Sequence, residues 1–221
     1  KIVNDINIFN DKKLNFFFVN YAGDKELIDI ISEMDNYRYE NYWNSYGKIL
    51  KFTKHIMNGI RFLHMNKICH LDIKPENIVI NTLTNTSKII DFGFASIEPF
   101  DDFINHMKGT PGYFPKQIKN TPVTEWLPEI EATDLIRNND GSIPIVKNKL
   151  LVYKIDSYCF GRVLYYLKYF YDKNENSGCS NFLSSKKNYN KLNNIIELLL
   201  EKNVNDRITI TECYKNFFIN I

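Results

Sequence analysis

Cysteine is scarce in this chain, and the residues that occur stand apart. Cys69, Cys159, Cys179 and Cys213 make no C-x-x-C pair and no Cys/His cluster at metal-ligand spacing. They read as ordinary buried or surface thiols of a reducing compartment. No apolar run is long enough to span a bilayer, and the opening residues "KIVNDINIFN" do not form a signal peptide. The expected setting is cytoplasmic or otherwise intracellular. An excess of one charge is lacking too: 28 Lys and Arg against 26 Asp and Glu leave a net charge of +2. So mild a balance gives no case for nucleic acid or an anionic membrane as the main partner, and nothing in it speaks to oligomeric state. There is no internal repeat. The first residue is Lys1 rather than methionine, so a preceding stretch of chain is the expectation.

What is present is ordinary globular material. At 221 residues, 44% of them hydrophobic, the chain has enough for a real core and one or two domains. The apolar runs 2–9 and 14–19, with "NDKK" as the turn between them, predict an antiparallel strand pair. A short helical piece follows "NYAGD", near 25–34. Ile49, Phe52, Ile56, Ile60 and Leu63 recur at three- and four-residue spacing, which predicts a core-facing helix over 46–66, capped by Asn44 or Ser45. Two short strands, "IVIN" and "SKIIDFG", flank the polar turn "NTLTNT". Residues 91–150 carry many turn signals and little periodicity. The segment 154–171 is apolar almost all round, as a helix buried on most sides would be. Two further helices are expected over 189–200 and 208–219.

The chemistry lies in a series of motifs: "HLDIKPEN" at 70–77, "DFG" at 91–93, "GTPGY" at 109–113, "DSYCFG" at 156–161 and "NDRIT" at 205–209. Singly each is weak, but their order and spacing resemble the C-terminal lobe of a eukaryotic-type Ser/Thr protein kinase, over nearly the whole chain. The resemblance implies an α+β fold with a mainly helical C-lobe and a partial β N-lobe. Residues 1–22 would be the last N-lobe strands and the hinge. Residues 23–221 would be the C-lobe, with an insertion around 117–153. It implies ATP and Mg²⁺ as cofactors and a protein substrate.

Phosphoryl transfer needs a nucleophile aimed in line and negative charge neutralised. By the resemblance, Asp72 would accept or orient the proton of the substrate hydroxyl, and Lys74 would reach the transferring phosphate. Asn77 and Asp91 would give Mg²⁺ hard oxygen ligands. Thr110 would bridge Asp72 and Lys74, and Gly112 with Tyr113 would shape the acceptor surface. Phe18 would close the back of the adenine pocket. Val19 and Tyr21 would offer it backbone groups, and Val79 would pack under the ring. His70 would pack against Phe92 rather than serve as a base. Asp156 would open the buried helix, accepting hydrogen bonds from the catalytic-loop backbone, capping the helix, or both.

Several positions depart from the pattern. Leu71 stands where the family commonly has an arginine that grips a phosphorylated activation loop, which makes this a non-RD type. Regulation through phosphate at Ser96 or Thr110 by that contact is therefore not expected. In place of "APE" the chain has Pro115-Lys116-Gln117. Arg207 would then need another acidic partner, and Glu129 in "LPEI" is the expected one. The stretch from Gln117 to Tyr153 could dock a partner or substrate, or be a loop. No G-x-G-x-x-G loop and no V-A-I-K strand is found, so the lysine that grips the ATP phosphates has no counterpart. Two readings remain: a Ser/Thr kinase preceded by further N-terminal sequence, or a catalytically inactive kinase-like binding or scaffold protein. A small-molecule kinase fits less well, since "GTPGY" and "DIKPEN" are peptide-substrate features.

Overall fold

The computed structural model describes residues 9–11, 14–16, 21–35, 45–98, 100, 109–110, 112–115, 135–136, 145–146, 149–175 and 182–219. The expected strand pair near the start is β1 (Phe9–Asp11) and β2 (Leu14–Phe16), antiparallel with Asp11 opposite Leu14. The connection is the two residues 12–13, so Asn10 and Asp11 belong to the ladder and not to a four-residue turn. After β3 (Lys25–Glu26) comes α1 (Leu27–Asp35). The long amphipathic stripe forms α2 (Tyr46–Met65), and the Ser45 side chain caps it by accepting from the Lys48 amide at 3.3 Å. All five residues of the stripe are buried.

Lys67, at φ 63°, turns the chain from α2 into β4 (Ile68–Cys69). A single 3-10 turn, Pro75–Asn77, leads into β5 (Ile78–Asn81), which turns back as β6 (Thr86–Ile89). Strands β3, β5 and β6 form an antiparallel sheet with β5 central. The run expected through "SKIIDFG" stops at Ile89, and Asp91 takes a left-handed φ of 59°, outside any ladder. β7 (Ser96–Ile97) pairs with β4, and β8 (Leu135–Ile136) pairs with β9 (Ile145–Val146). Ser96 is thus buried in a strand.

The buried helix α3 runs over Lys149–Glu175, longer at both ends than its apolar run of 154–171. Asp156 therefore lies in the third turn of the helix and is not its N-cap, which corrects the capping alternative. Its side chain is completely buried. α4 (Phe182–Leu199) begins seven residues ahead of the expected 189. α5 (Ile210–Tyr214) starts from Thr209, which forms a capping box with Glu212. A wider π turn, Lys215–Ile219, follows it. One apolar core joins α1, α2, α3, α4 and α5. No helix among the described residues is long and apolar enough to cross a membrane.

Arg207 is buried, 2% exposed. Its Nε donates to the Glu201 carbonyl at 2.9 Å, and its guanidinium lies 4.8 Å from the Tyr158 ring centroid. Glu129 and Gln117 fall outside the described residues. Lys154, also buried, donates to the Val204 and Asn205 carbonyls at 2.8 Å each. Burial pulls its ammonium below the usual lysine range.

The contact that fixes the site is made by Asp156. Its Oδ2 accepts from the His70 amide at 2.9 Å and from His64 Nε2 at 2.9 Å, and its Oδ1 accepts from the Leu71 amide at 2.7 Å. The Cys69 thiol donates to Oδ2 at 3.2 Å. Burial pushes the carboxyl pKa up, but the His64 bond and the loop donors outweigh it and hold the group below the usual carboxylate range. A depressed folded pKa gives stability that is present above the unfolded value and lost as pH falls through the folded one. Asp156→Ala strands two buried amides and is expected to cost roughly 3–5 kcal/mol in urea unfolding. Asp156→Asn is expected to flatten the loss of stability below about pH 4.

Candidate active site

The loop from His70 to Asn77 is held from below by Asp156 and closed on itself by its own side chains. Leu71 has φ 64°, a left-handed backbone that costs a non-glycine residue roughly 1–2 kcal/mol. Its side chain is 1% exposed, and burying a leucine returns about 1.5–3 kcal/mol. The bond from its amide to Asp156 adds to that, so the strained geometry is the stable one.

His70 is fully used by backbone. Its Nδ1 accepts from the Asp72 amide at 3.3 Å, which assigns the proton to Nε2, and Nε2 lies 3.1 Å from the Ile90 carbonyl. Its ring sits 5.0 Å from that of Phe92. The packing role expected of His70 is the one found, and no nitrogen is left for proton transfer.

Asp72 is the hub of the polar face. Its Oδ1 accepts from Thr110 Oγ1 at 2.6 Å and from the Thr110 amide at 3.2 Å. Lys74 Nζ lies 3.1 Å from Asp72 Oδ2 and donates to Thr110 Oγ1 at 2.9 Å. Asn77 Nδ2 donates to Asp72 Oδ2 at 3.0 Å and to its carbonyl at 2.9 Å. Four residues from two distant segments thus meet around one carboxylate that is 6% exposed. The Thr110 segment is shaped by Gly112, whose φ of 94° only glycine adopts without strain.

The oxygen donors beside the loop bear on whether Mg²⁺ fits. The Asn77 amide nitrogen is spent on Asp72, which leaves its carbonyl oxygen as an acceptor. Asp91 is exposed, with Oδ1 accepting from the Gly93 amide at 3.0 Å. The Ile90 amide bonds the Asn77 carbonyl at 2.9 Å, which ties the two segments together. Hard oxygens on neighbouring segments fit a hard cation.

His64, Cys69 and Asp156 also bring ligand atoms within 4.8 Å of one another. They form a hydrogen-bonded core instead of a metal centre. Burial, and then Asp156, push the Cys69 thiol well above the usual range, so it stays protonated, and Asp156 already has four donors.

The residues expected around adenine lie only partly within the described residues. Phe18 and Val19 lie outside the described residues. Tyr21 is 70% exposed, and its carbonyl accepts from Lys88 Nζ at 3.2 Å. Val79 is 7% exposed. It lies beneath Gly23, where an added Cβ would fall 2.8 Å from Val79 Cγ1 and 2.5 Å from the Ile80 carbonyl oxygen. Only a glycine lets the chain pass that closely over β5.

Three contributors were not foreseen. His64 looked like one more polar residue at the end of α2, and no sequence signal marks it. Glu76 sits inside "DIKPEN", yet its Oε2 is buried with no hydrogen-bond partner among the described residues. Arg162, from α3, donates its Nε to the Gly112 carbonyl at 2.9 Å.

The chain is similar to known proteins. The protein kinase domain family matches residues 1–126. Human myosin light chain kinase 3 is 32% identical over 113 residues, which are 51% of this chain and 13% of that protein. The probable serine/threonine-protein kinase HSL1 of Saccharomyces cerevisiae is 29% identical over 103 residues, 44% of this chain and 7% of that protein. Human myosin light chain kinase 2, skeletal/cardiac muscle, is 33% identical over 104 residues, 47% and 16% respectively. The chain therefore spans only a small part of the curated relatives it matches. A family match over more than half of the 221 residues, on the segment that carries the Asp72 cluster, decides the family: the chain belongs to the protein kinase domain family.

Proposed function

We propose that this chain is the catalytic part of a Ser/Thr protein kinase of the non-RD type, transferring the γ-phosphate of ATP to hydroxyls of a protein substrate. The observation that carries the reading is the triangle of Asp72, Lys74 and Thr110, closed by contacts of 2.6, 2.9 and 3.1 Å. Such a triangle has no structural need of a lysine, since any cap would close the loop. It leaves a carboxylate and an ammonium side by side, one for a hydroxyl proton and one for a phosphoryl oxygen.

Bound ATP with Mg²⁺ supplies the phosphoryl group and much of the positive charge around it. The chain does the rest. Asp72 orients the acceptor hydroxyl and takes its proton. Thr110 holds Asp72 and Lys74 at fixed separation. Asn77 Oδ1 and the Asp91 carboxylate would hold the cation. Phe18, Val19, Tyr21 and Val79 line the adenine side. The domain division at 22/23 and a docking role for the 117–153 insertion belong to the same reading. So does an intracellular setting.

Glu76 extends the reading to the substrate. A buried carboxylate oxygen without a donor is costly, and a Lys or Arg of the acceptor protein would satisfy it. Burial first, and then Glu76, raise the Tyr113 hydroxyl to about 12, which puts that charge beside the acceptor surface.

Asp72→Asn is expected to lower transfer from ATP–Mg²⁺ to a protein substrate by about 10²–10⁴-fold, with unchanged urea unfolding. Equal rates for the two proteins would instead favour the kinase-like binding protein. Thr110→Ala is expected to lose about tenfold, the worth of one positioning hydrogen bond. Phosphatase-treated protein is expected to keep full activity, because Leu71 is buried and carries no charge to meet a phosphate. Loss of activity on treatment would remove independence from activation-loop phosphate from the proposal.

A further inference from the structure

Helix α3 is buried along most of its length, but one stripe of it is not. Arg162, Tyr165, Tyr166 and Tyr169 follow one another at the spacing that on this helix otherwise marks core. Tyr165 is 46% exposed and Tyr169 53%. The stripe starts at the Thr110 segment. Arg162 Nε holds the Gly112 carbonyl at 2.9 Å, its Nη2 donates to the Tyr166 hydroxyl at 2.7 Å, and the Tyr113 and Tyr166 rings meet edge to face at 5.6 Å. The guanidinium lies 4.8 Å from the Tyr166 centroid and 5.5 Å from that of Tyr165.

These contacts fix the plane of the guanidinium and spend two of its five N–H groups. The other three have no acceptor among the described residues, and no described carboxylate lies within ion-pair distance. A guanidinium immobilised against aromatic faces, with donors to spare, is preorganised for a carboxylate fork. Exposed tyrosines beside an arginine are the composition of interface hot spots.

We propose that Arg162, with Tyr165 and Tyr169, is a specificity site for an Asp or Glu side chain of the acceptor protein, a few residues from the phosphorylated hydroxyl. The assignment rests on the kinase reading above, because the stripe is continuous with the segment that would dock the acceptor. Charge complementarity selects the occupant. Among the described residues Arg162 has N–H groups to spare and Glu76 has a buried oxygen without a donor, and both charges lie near the Tyr113 hydroxyl. The acceptor segment thus carries an acid for one and a base for the other, at different positions.

The test uses the full-length protein. A positional-scanning library of Ser/Thr peptides is phosphorylated with ATP–Mg²⁺. Wild type is expected to favour Asp and Glu at one position at least fivefold, and Arg162→Glu to move the preference at that position to Lys and Arg. Tyr165→Ala and Tyr169→Ala are expected to raise KM for the selected acidic peptide severalfold without changing KM for ATP. A structural role for Arg162 would weaken all peptides alike and could not invert the choice. Transfer without any acidic preference, or a preference that survives Arg162→Glu, overturns the assignment alone. Transfer no better than that of Asp72→Asn overturns the kinase reading and the assignment together.

Discussion

One buried carboxylate organises this structure. Asp156 has no contact with solvent, and an isolated charge in that position would be prohibitive. Two backbone amides, an imidazole and a thiol surround it instead. The cost of burial becomes a source of rigidity, because each donor can reach it in only one arrangement. The amides are those of His70 and Leu71, so the polypeptide just ahead of Asp72 takes its geometry from a helix that joins the chain eighty residues later. The left-handed turn at Leu71 is a product of this constraint. Left free, the segment would relax away from it.

Above this anchor the polar face is assembled from short reaches. Asp72 meets Asn77 within the loop and Thr110 across it, and Lys74 binds both Asp72 and Thr110. The Thr110 segment is in turn held to α3 by Arg162 at Gly112. The same helix thus supports the His70–Asn77 loop at Asp156 and the Thr110 segment at Arg162, less than two turns further along. Positions on two separate loops are tied to one rigid rod. That is how a site built on irregular backbone keeps its reacting groups in register.

Much of this could be read from the residues. The stripe on α2 named its own core, and the motif series singled out Asp72, Lys74, Asn77 and Thr110, which the fold brings together. Tertiary context decided the rest. The apolar run of α3 stops at 171, but the helix continues to Glu175 because its polar ends are as helix-compatible as its middle. "DFG" looked like the end of a strand, yet the left-handed Asp91 puts it outside the sheet. His64 acts through a side chain ninety-two positions away in sequence, a pairing that periodicity cannot show. The spacing of Arg162, Tyr165, Tyr166 and Tyr169 is that of a buried stripe. Only the arrangement of the neighbouring elements shows that two of the four are open.

The way Leu71 is held has an evolutionary consequence. The protein grips that residue by its amide as well as by its buried side chain, so part of what shapes the His70–Asn77 loop is indifferent to which residue stands at this position. That backbone share lets position 71 change in the course of evolution while Asp72, Lys74 and Asn77 stay where Asp156 puts them.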